Sequence, residues 1–253
     1  MDPVDLERRF GGLRRLYGDA GYARIRAARV AVVGVGGVGS WCAEALARSG
    51  VAGLTLIDLD HVSESNINRQ IQATSATIGQ AKVHALRDRI EGIHPTCEVT
   101  CVEEFVDEGN WPMLLPAPVD AVVDACDQVR AKSAMAAWAL GTRTMLVIAG
   151  AAGGKRQPHA VQVEDLGLVT HDPLLAALRQ RLRKQHGAAR AGKIGVRCVF
   201  SREAVTAPGE VCDTEGASDS SLNCHGYGSS VGVTATFGMV LASLALESAA
   251  AQK

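Results

Sequence analysis

The chain has 253 residues, of which 47% are hydrophobic and 21% charged, and its formal net charge is −1. This length and apolar fraction suit one large α/β domain, or one domain with an appended lobe, built around a sizeable core. The near-neutral charge argues against a general nucleic-acid binder, and we expect no apolar run as long as a membrane span.

Short apolar runs alternate with helical spacings along most of the chain. Helices are predicted at residues 5–28, 40–49, 78–93, 128–140, 173–185 and 231–246. Strands are predicted at residues 30–34, 54–58, 98–102, 120–124, 144–149, 160–163 and 196–200. This alternation predicts an α/β fold with a Rossmann-like, doubly wound and mostly parallel sheet, helices on both faces and a C-terminal α+β extension.

The chain is expected to divide into three consecutive parts. These are an N-terminal helical segment (1–29), a nucleotide-binding core (30–165) and a C-terminal extension (166–253) that completes the same domain. Residues 205–222 are rich in Gly, Ser, Asp and Thr, which predicts a mobile loop. In helix 78–93 the apolar residues follow a helical spacing, at Ile78, Val83, Leu86 and Ile90.

The number and spacing of the cysteines indicate the cellular compartment. Seven cysteines are scattered along the chain, and none belongs to a Cys-x-x-Cys motif. This odd, unpaired set predicts reduced thiols and excludes a zinc site built from paired Cys-x-x-Cys motifs. The N-terminus lacks the basic-then-apolar order of a signal peptide, so the expected location is the cytoplasm, with no membrane partner.

A glycine-rich segment follows the first predicted strand. Glycines allow backbone N–H groups to approach a phosphate closely, and the N-terminus of the next helix adds donors and a positive dipole end. About twenty residues further on, the second strand ends in Asp58, where a carboxylate can bind a ribose hydroxyl. This pattern predicts a nucleotide site without deciding which nucleotide. The segment carries Gly34, Gly36, Gly37, Gly39 and Ser40.

A polar stretch after Asp58 favours a triphosphate over a redox dinucleotide. It contains Asp60, Asn66, Arg69 and Gln70, and Lys82 follows in Gly79-x-x-Lys82. Arginine and lysine can hold phosphates and neutralise the charge that develops on leaving pyrophosphate. Hydride transfer has no such need. An exposed ion pair for Arg69 and a capping role for Asp58 remain open alternatives.

A third motif, Asp124-Ala-Cys126-Asp127, ends the fourth predicted strand. Asp127 is expected at the same sheet edge as the glycine segment. There its carboxylate can hold Mg²⁺ bridging phosphate oxygens. The alternative is that Asp127 only caps the following helix.

Together these motifs resemble the ubiquitin-activating-type adenylation proteins, the ThiF/MoeB group, over roughly residues 5–165. The resemblance implies ATP and Mg²⁺ as cofactors, and an adenylated carboxylate. It also implies that Asp58 binds the ribose, that Asn66, Arg69 and Lys82 contact the phosphates, and that Asp127 is the magnesium-linked aspartate.

A narrower resemblance covers almost the whole chain. The segments Arg9-Phe-Gly-Gly-Leu-Arg-Arg-Leu-Tyr17, Asn68-Arg-Gln-Ile71, Lys193-Ile-Gly-Val-x-Cys-Val-Phe-Ser201 and Val233-Thr-Ala-Thr-Phe-Gly238 resemble the tRNA threonylcarbamoyladenosine dehydratases, the TcdA/CsdL family. This implies ATP-dependent cyclisation of N6-threonylcarbamoyladenosine at position 37 of tRNA. It also implies a homodimer, in which an N-terminal arginine (Arg9, Arg14 or Arg15) completes a neighbouring subunit's ATP site.

Three other interpretations stay open. The same ATP site suits an activator of a sulfur-carrier protein C-terminus, a scaffold for a sulfur-relay partner or, less well, an NAD-linked oxidoreductase. Cys224 beside His225 is a candidate nucleophile, although a cysteine without a catalytic part is the simpler interpretation. Arginines and lysines cluster within residues 8–29 and 179–202, either as solvated faces or, in the second case, as a tRNA surface.

Overall fold

A computed structural model of the chain describes residues 4–206 and 227–251. Its α-helices are α1 (Leu6–Phe10), α2 (Arg14–Ala27), α3 (Gly39–Arg48), α4 (Lys82–Ile93), α5 (Val129–Thr142), α6 (Pro173–Gln185) and α7 (Val231–Ala251). Its strands are β1 (Arg29–Val33), β2 (Gly53–Ile57), β3 (Glu98–Val102), β4 (Ala121–Asp124), β5 (Met145–Ala149), β6 (Val161–Asp165) and β7 (Arg197–Ser201).

The seven strands form one sheet in the order β3-β2-β1-β4-β5-β7-β6. All neighbours are parallel except β6 and β7, which are antiparallel. The strand order reverses between β1 and β4, which is the position where doubly wound sheets open a crevice for ligands. The predicted fold class is confirmed.

The core lies on both faces of the sheet because successive strand residues point to opposite sides. Val30 and Val32 of β1 face α2, α3, α4 and α7, whereas Ala31 and Val33 face α5 and α6. All four side chains are almost fully buried. Sequential helices therefore cover both faces, as the alternation of elements predicts.

Two predicted helices differ from the structure at their ends. Helix α4 begins at Lys82, not at residue 78, and the Ile78 side chain is 46% exposed. The segment before α4 turns back on the chain, where the Val62 carbonyl accepts from the Gly79 N–H and the Gln80 carbonyl accepts from the Val62 N–H. The N-terminal helix is interrupted by a 3-10 turn at Gly11–Leu13 and by a non-helical residue inside α2.

Helix α7 corrects the expectation that no apolar segment reaches the length of a membrane span. Its 21 residues have a mean hydropathy of 1.5 and satisfy that test by length and composition. In this fold the helix packs against α2, α3 and the sheet, and half of it is buried. Its composition is that of a central core helix.

The predicted domain boundaries at residues 29 and 165 remain a prediction. Strands from both sides of residue 165 belong to the same sheet, since β6 pairs with β7 and β7 with β5. Most of the loop predicted at 205–222 lies outside the described residues.

Candidate active site

A cavity opens at the carboxyl edge of the sheet, where the strand order reverses. Its walls are the segments that follow β1, β2, β4 and β5, together with the residues that follow β3. Its volume is about 210 Å³. The edge is the one at which parallel sheets bind their ligands, so the predicted nucleotide site and the cavity coincide.

The glycine segment forms the floor of this cavity. Gly34, Gly36 and Gly37 line it. Gly34 has φ +78°, and a Cβ atom there would lie 2.9 Å from the backbone nitrogen of Cys126, so the close contact with the loop after β4 requires glycine. Gly39 and Ser40 do not line the cavity. Ser40 is fully buried, and its Oγ accepts from the Ile71 N–H at 3.4 Å.

Asp58 lies at the end of β2 and is buried against the glycine segment. Its Oδ2 accepts from the Val35 N–H at 2.8 Å, and its Oδ1 accepts from the Asp60 N–H at 2.9 Å. Burial raises the pKa of this carboxyl, although the nearby Lys82 charge acts to lower it. Asp58 therefore shapes the loop, as the capping alternative requires, and still lines the cavity.

The cationic groups reach the cavity from the polar stretch. Arg69 lines it and donates to the Ser65 carbonyl at 2.7 Å and to the Asn68 side chain at 2.8 Å. Burial lowers the pKa of the Arg69 guanidinium, which remains charged at physiological pH. Lys82 donates to Asp60 Oδ2 at 2.6 Å. Both partners of this ion pair line the cavity.

Two amide residues of the polar stretch have different positions. Gln70 is buried and lines the cavity. Asn66 is not among the lining residues. Its side-chain oxygen accepts from the Ser63 N–H at 3.1 Å in a capping box around a short 3-10 turn. The structure thus places Asn66 as a support for the segment that carries Arg69 and Gln70.

Asp127 lies on the loop between β4 and α5 and lines the cavity, and this loop packs against the glycine segment, where Gly34 approaches the Cys126 nitrogen. The N-cap of α5 is Gln128, the residue after Asp127, and the Gln128 side chain makes no capping hydrogen bond. Within residues 4–206 and 227–251, no three His, Cys, Asp or Glu side chains are grouped so that they could hold a metal ion by themselves. A single carboxylate beside a phosphate site nevertheless fits Mg²⁺, which commonly binds through one or two carboxylates and substrate phosphates.

Cys126 lies on the same loop, and its thiol is engaged. Its Sγ contacts Asp124 Oδ1 at 3.0 Å. Burial and the Asp124 carboxylate raise the pKa of Cys126 well above its ordinary value, so the protonated thiol dominates at neutral pH. Cys224, the candidate nucleophile, lies outside the described residues.

The predicted N-terminal arginines lie apart from the cavity. Arg9 donates to the Ile93 carbonyl at 2.6 Å, and Arg14 pairs with Glu7 at 3.0 Å. Arg15 is exposed, and its side chain forms no hydrogen bond or ion pair with the described residues. None of the three lines the cavity of this chain.

Several cavity residues were not predicted from the sequence. Phe105 and Val106, which follow β3, form one wall, and Thr234 of α7 another. Lys132, which is buried and does not line the cavity, was also not predicted, although the sequence contains a signal for it. It shares the helical face of Met135 and Ala136, where a charged residue stands out among apolar ones.

Comparison with known proteins agrees with this geometry. The ThiF family model matches residues 9–251. The chain belongs to the ThiF family. Within it, similarity to the tRNA threonylcarbamoyladenosine dehydratase of Escherichia coli (strain K12) reaches 43% identity over 247 residues, or 94% of this chain and 92% of that protein. The dehydratase of Haemophilus influenzae is 39% identical over 96% of this chain and 94% of that protein.

Solved structures give the same result for this ThiF family chain. The structure of E. coli tRNA N6-threonylcarbamoyladenosine dehydratase, TcdA, in complex with ATP superposes with a TM-score of 0.87 at 42% identity, covering 97% of this chain and 96% of that one. The AMP complex of TcdA gives 0.86 at 41% identity, with 98% of each chain covered. The molybdopterin-synthase adenylyltransferase of E. coli matches at 37% identity over only 50% of this chain.

Proposed function

We propose that this chain catalyses the ATP-dependent dehydration of N6-threonylcarbamoyladenosine at position 37 of tRNA. The observation that carries the proposal is the convergence of Asp58, Arg69, Lys82 and Asp127 on one cavity at the switch point of the sheet. Full-length similarity to dehydratases, one solved with ATP and with AMP, supports the same reaction. A sulfur-carrier activator is the less favoured candidate because its relatives match only half of the chain.

The walls of the cavity suggest how ATP binds. The ionised Asp58 carboxylate accepts a hydrogen bond from a ribose hydroxyl. Backbone N–H groups of the glycine segment and of Val38, the N-cap of α3, face the phosphates, with Arg69 and Lys82 as cations. Lys82 exchanges its partner Asp60 for a phosphate, which is a stronger local anion.

Asp127 fits the position of a Mg²⁺ ligand. When bound there, the metal supplies positive charge to the phosphate oxygens and to the leaving pyrophosphate. The chain itself supplies one carboxylate from the loop after β4, and Arg69 and Lys82, which line the same cavity, add positive charge.

The reaction then has two steps. A carboxylate oxygen of the threonyl group attacks the α-phosphorus of ATP, and pyrophosphate leaves, which gives an acyl-adenylate. The carbamoyl group of the same substrate attacks the activated carbonyl, loses a proton and expels AMP. Ring closure is intramolecular, so alignment of the two groups contributes much of the rate. The scheme requires no protein nucleophile, in keeping with the raised pKa of Cys126.

The proposal extends to the assembly. We expect a cytoplasmic homodimer in which Arg15, exposed and without a partner among the described residues, reaches the ATP site of the second copy. Those basic residues between 173 and 202 that lie toward the cavity edge of the sheet are expected to hold tRNA phosphates. Gel filtration with light scattering measures the oligomeric state, and an active monomer would contradict the proposed homodimer.

The test is mass spectrometry of nucleosides from threonylcarbamoylated tRNA incubated with the protein, ATP and Mg²⁺. We expect the modified adenosine to lose the mass of one water, in an ATP-dependent manner. Asp127→Ala is expected to lower the rate by at least about 100-fold, because one group that offsets transition-state charge is removed. An unchanged nucleoside, with pyrophosphate released when a sulfur-carrier protein is supplied, would replace this function with carrier activation.

A further inference from the structure

Lys132 is a fully buried charge directly beneath the cavity. It lies in the first turn of α5, and neither its side chain nor that of its partner Asp124 has any exposed surface. Burying two charges without gaining hydrogen bonds elsewhere often stabilises a protein less than an apolar pair of the same volume does. The Asp124 Oδ2 atom also has no hydrogen-bond partner among the described residues. Stability alone is therefore a weak reason for this pair.

The ammonium of Lys132 links the ends of two strands. Its Nζ donates to Asp124 Oδ1 at 3.0 Å and to the Ala149 carbonyl at 2.9 Å. Asp124 is the last residue of β4 and Ala149 the last residue of β5. Both strands give way to cavity-lining loops at these points, so one ammonium fixes the origins of two walls.

Further hydrogen bonds connect the two strand ends that Lys132 joins to the cavity walls. On the β4 side, Asp124 Oδ1 also accepts from the Cys126 N–H at 3.2 Å, which closes the turn that leads to Asp127. On the β5 side, Asp172 Oδ2 accepts from the Ala151 N–H at 2.9 Å and ties that wall to α6. Beyond the backbone pairing of β4 with β5, the Lys132 side chain links the loop that carries Asp127 to the segment that Asp172 anchors.

We propose that Lys132 is a positioning residue, which holds the loop of residues 125–128 and the loop of residues 149–153 in register with each other at the ATP cavity. The geometry of ATP binding does not depend on the identity of the second substrate. The effect on tRNA dehydration rests on the proposed function, whereas the effect on ATP affinity is measurable without tRNA.

Two variants test whether Lys132 positions the two loops or only neutralises the buried Asp124 carboxylate. Lys132→Met removes the link and leaves the Asp124 carboxylate buried without its cation. In Asp124→Asn/Lys132→Met the asparagine oxygen still accepts from the Cys126 N–H and no buried charge remains, but the bond to the Ala149 carbonyl is absent. The matched control is Met135→Ala, one turn further along α5 and fully buried.

Melting temperature, ATP dissociation constant and kcat for dehydration are measured for each protein. Lys132→Met is expected to melt lowest, and the double variant to regain much of that loss. In the double variant ATP is still expected to bind about tenfold more weakly, with kcat down by up to about 100-fold, since small misplacements of catalytic groups have effects of this size. Met135→Ala is expected to melt lower with nearly unchanged ATP affinity and kcat.

Recovery of melting temperature, ATP affinity and kcat together in the double variant would overturn the proposal and leave Lys132 as a structural counter-charge. Equal losses of ATP affinity in Met135→Ala would do the same. If the wild-type protein dehydrates no tRNA, the proposed function fails, while the ATP dissociation constants still decide the role of Lys132.

Discussion

At the scale of single residues, Asp58 has a structural role in addition to the ribose-binding role proposed for it. Its two carboxylate oxygens each accept one backbone N–H, from Val35 and from Asp60, and so fix the loops after β1 and β2. A carboxylate oxygen has more than one acceptor site, so a ribose hydroxyl can be bound in addition. The same side chain thus orders the loops and, in the proposed function, contacts the ribose.

This double role makes ATP binding sensitive to acid. Burial raises the pKa of Asp58, so the carboxylate takes up a proton at a higher pH than an exposed aspartate does. Because ATP needs the ionised form, we expect ATP affinity to fall as the pH decreases through this raised pKa. Calorimetric titrations over a pH series measure the effect.

Asp58→Asn is the corresponding variant. An amide has one acceptor oxygen where the carboxylate has two, so one of the two loop N–H groups loses its partner. We expect ATP to bind at least about tenfold more weakly at neutral pH, as for the loss of a charge-assisted hydrogen bond, and the acid-dependent loss to disappear. Unchanged affinity at neutral pH would remove Asp58 from the site.

At the scale of elements, the contact between α3 and α7 positions the glycine segment. A Cβ atom at Gly238 of α7 would lie 2.5 Å from the Val38 carbonyl oxygen and 2.8 Å from the Cys42 nitrogen. The two helices therefore meet backbone to backbone at the start of α3. That is the end of α3 which carries the proposed phosphate-binding N–H groups.

Gly238→Ala is expected to force these helices apart. We predict a loss of about 1–3 kcal/mol in the free energy of unfolding, the usual range for overpacking, together with weaker ATP binding. Urea unfolding and ATP titration measure the two effects. The control is Gly232→Ala in the same helix, where the nearest atom to the added Cβ is 3.9 Å away. Equal stability of the two variants would contradict the close contact.

The elements themselves were largely predictable. The strand limits from apolar runs differ from the observed limits by no more than two residues, because a buried parallel strand needs a continuous apolar sequence. The start of α4 was not predictable. Ile78 continues the helical spacing, but the backbone there is bonded to Val62, a contact that periodicity does not encode.

At the scale of the whole molecule, the basic residues within 179–202 are divided between the two ends of the strands, the carboxyl edge that carries the cavity and the amino edge away from it. Arg197 begins β7 at the edge away from the cavity, whereas Arg202 follows the strand at the cavity edge, about 16 Å further along. Arg156 is also exposed. It lies close to Arg202, because the carboxylate of the next residue, Glu203, accepts from the Arg156 N–H at 2.9 Å. In α6, Arg179 is bonded to backbone carbonyls.

This division predicts which cations contact the tRNA. Arg156→Ala/Arg202→Ala is expected to raise KM for tRNA and to lower the slope of log affinity against log salt by about one per lost phosphate contact. Lys193→Ala/Arg197→Ala removes the same amount of charge at the edge of the sheet away from the cavity. It is expected to change the KM for tRNA and the salt slope less. Fluorescence anisotropy over a salt series measures the slopes. A larger effect from the far pair would relocate the tRNA surface.

The α/β fold, the glycine segment and the polar residues after β2 and β4 were predictable from residue order, because strand burial and phosphate chemistry both constrain local residue types. Only the tertiary structure separated Gly34 and Arg69, which line the cavity, from Ser40 and Asn66, which support it. It alone revealed the link from Lys132 to Ala149. Bonds of this kind join residues distant in sequence, and they arise only when the sheet brings the strand ends together.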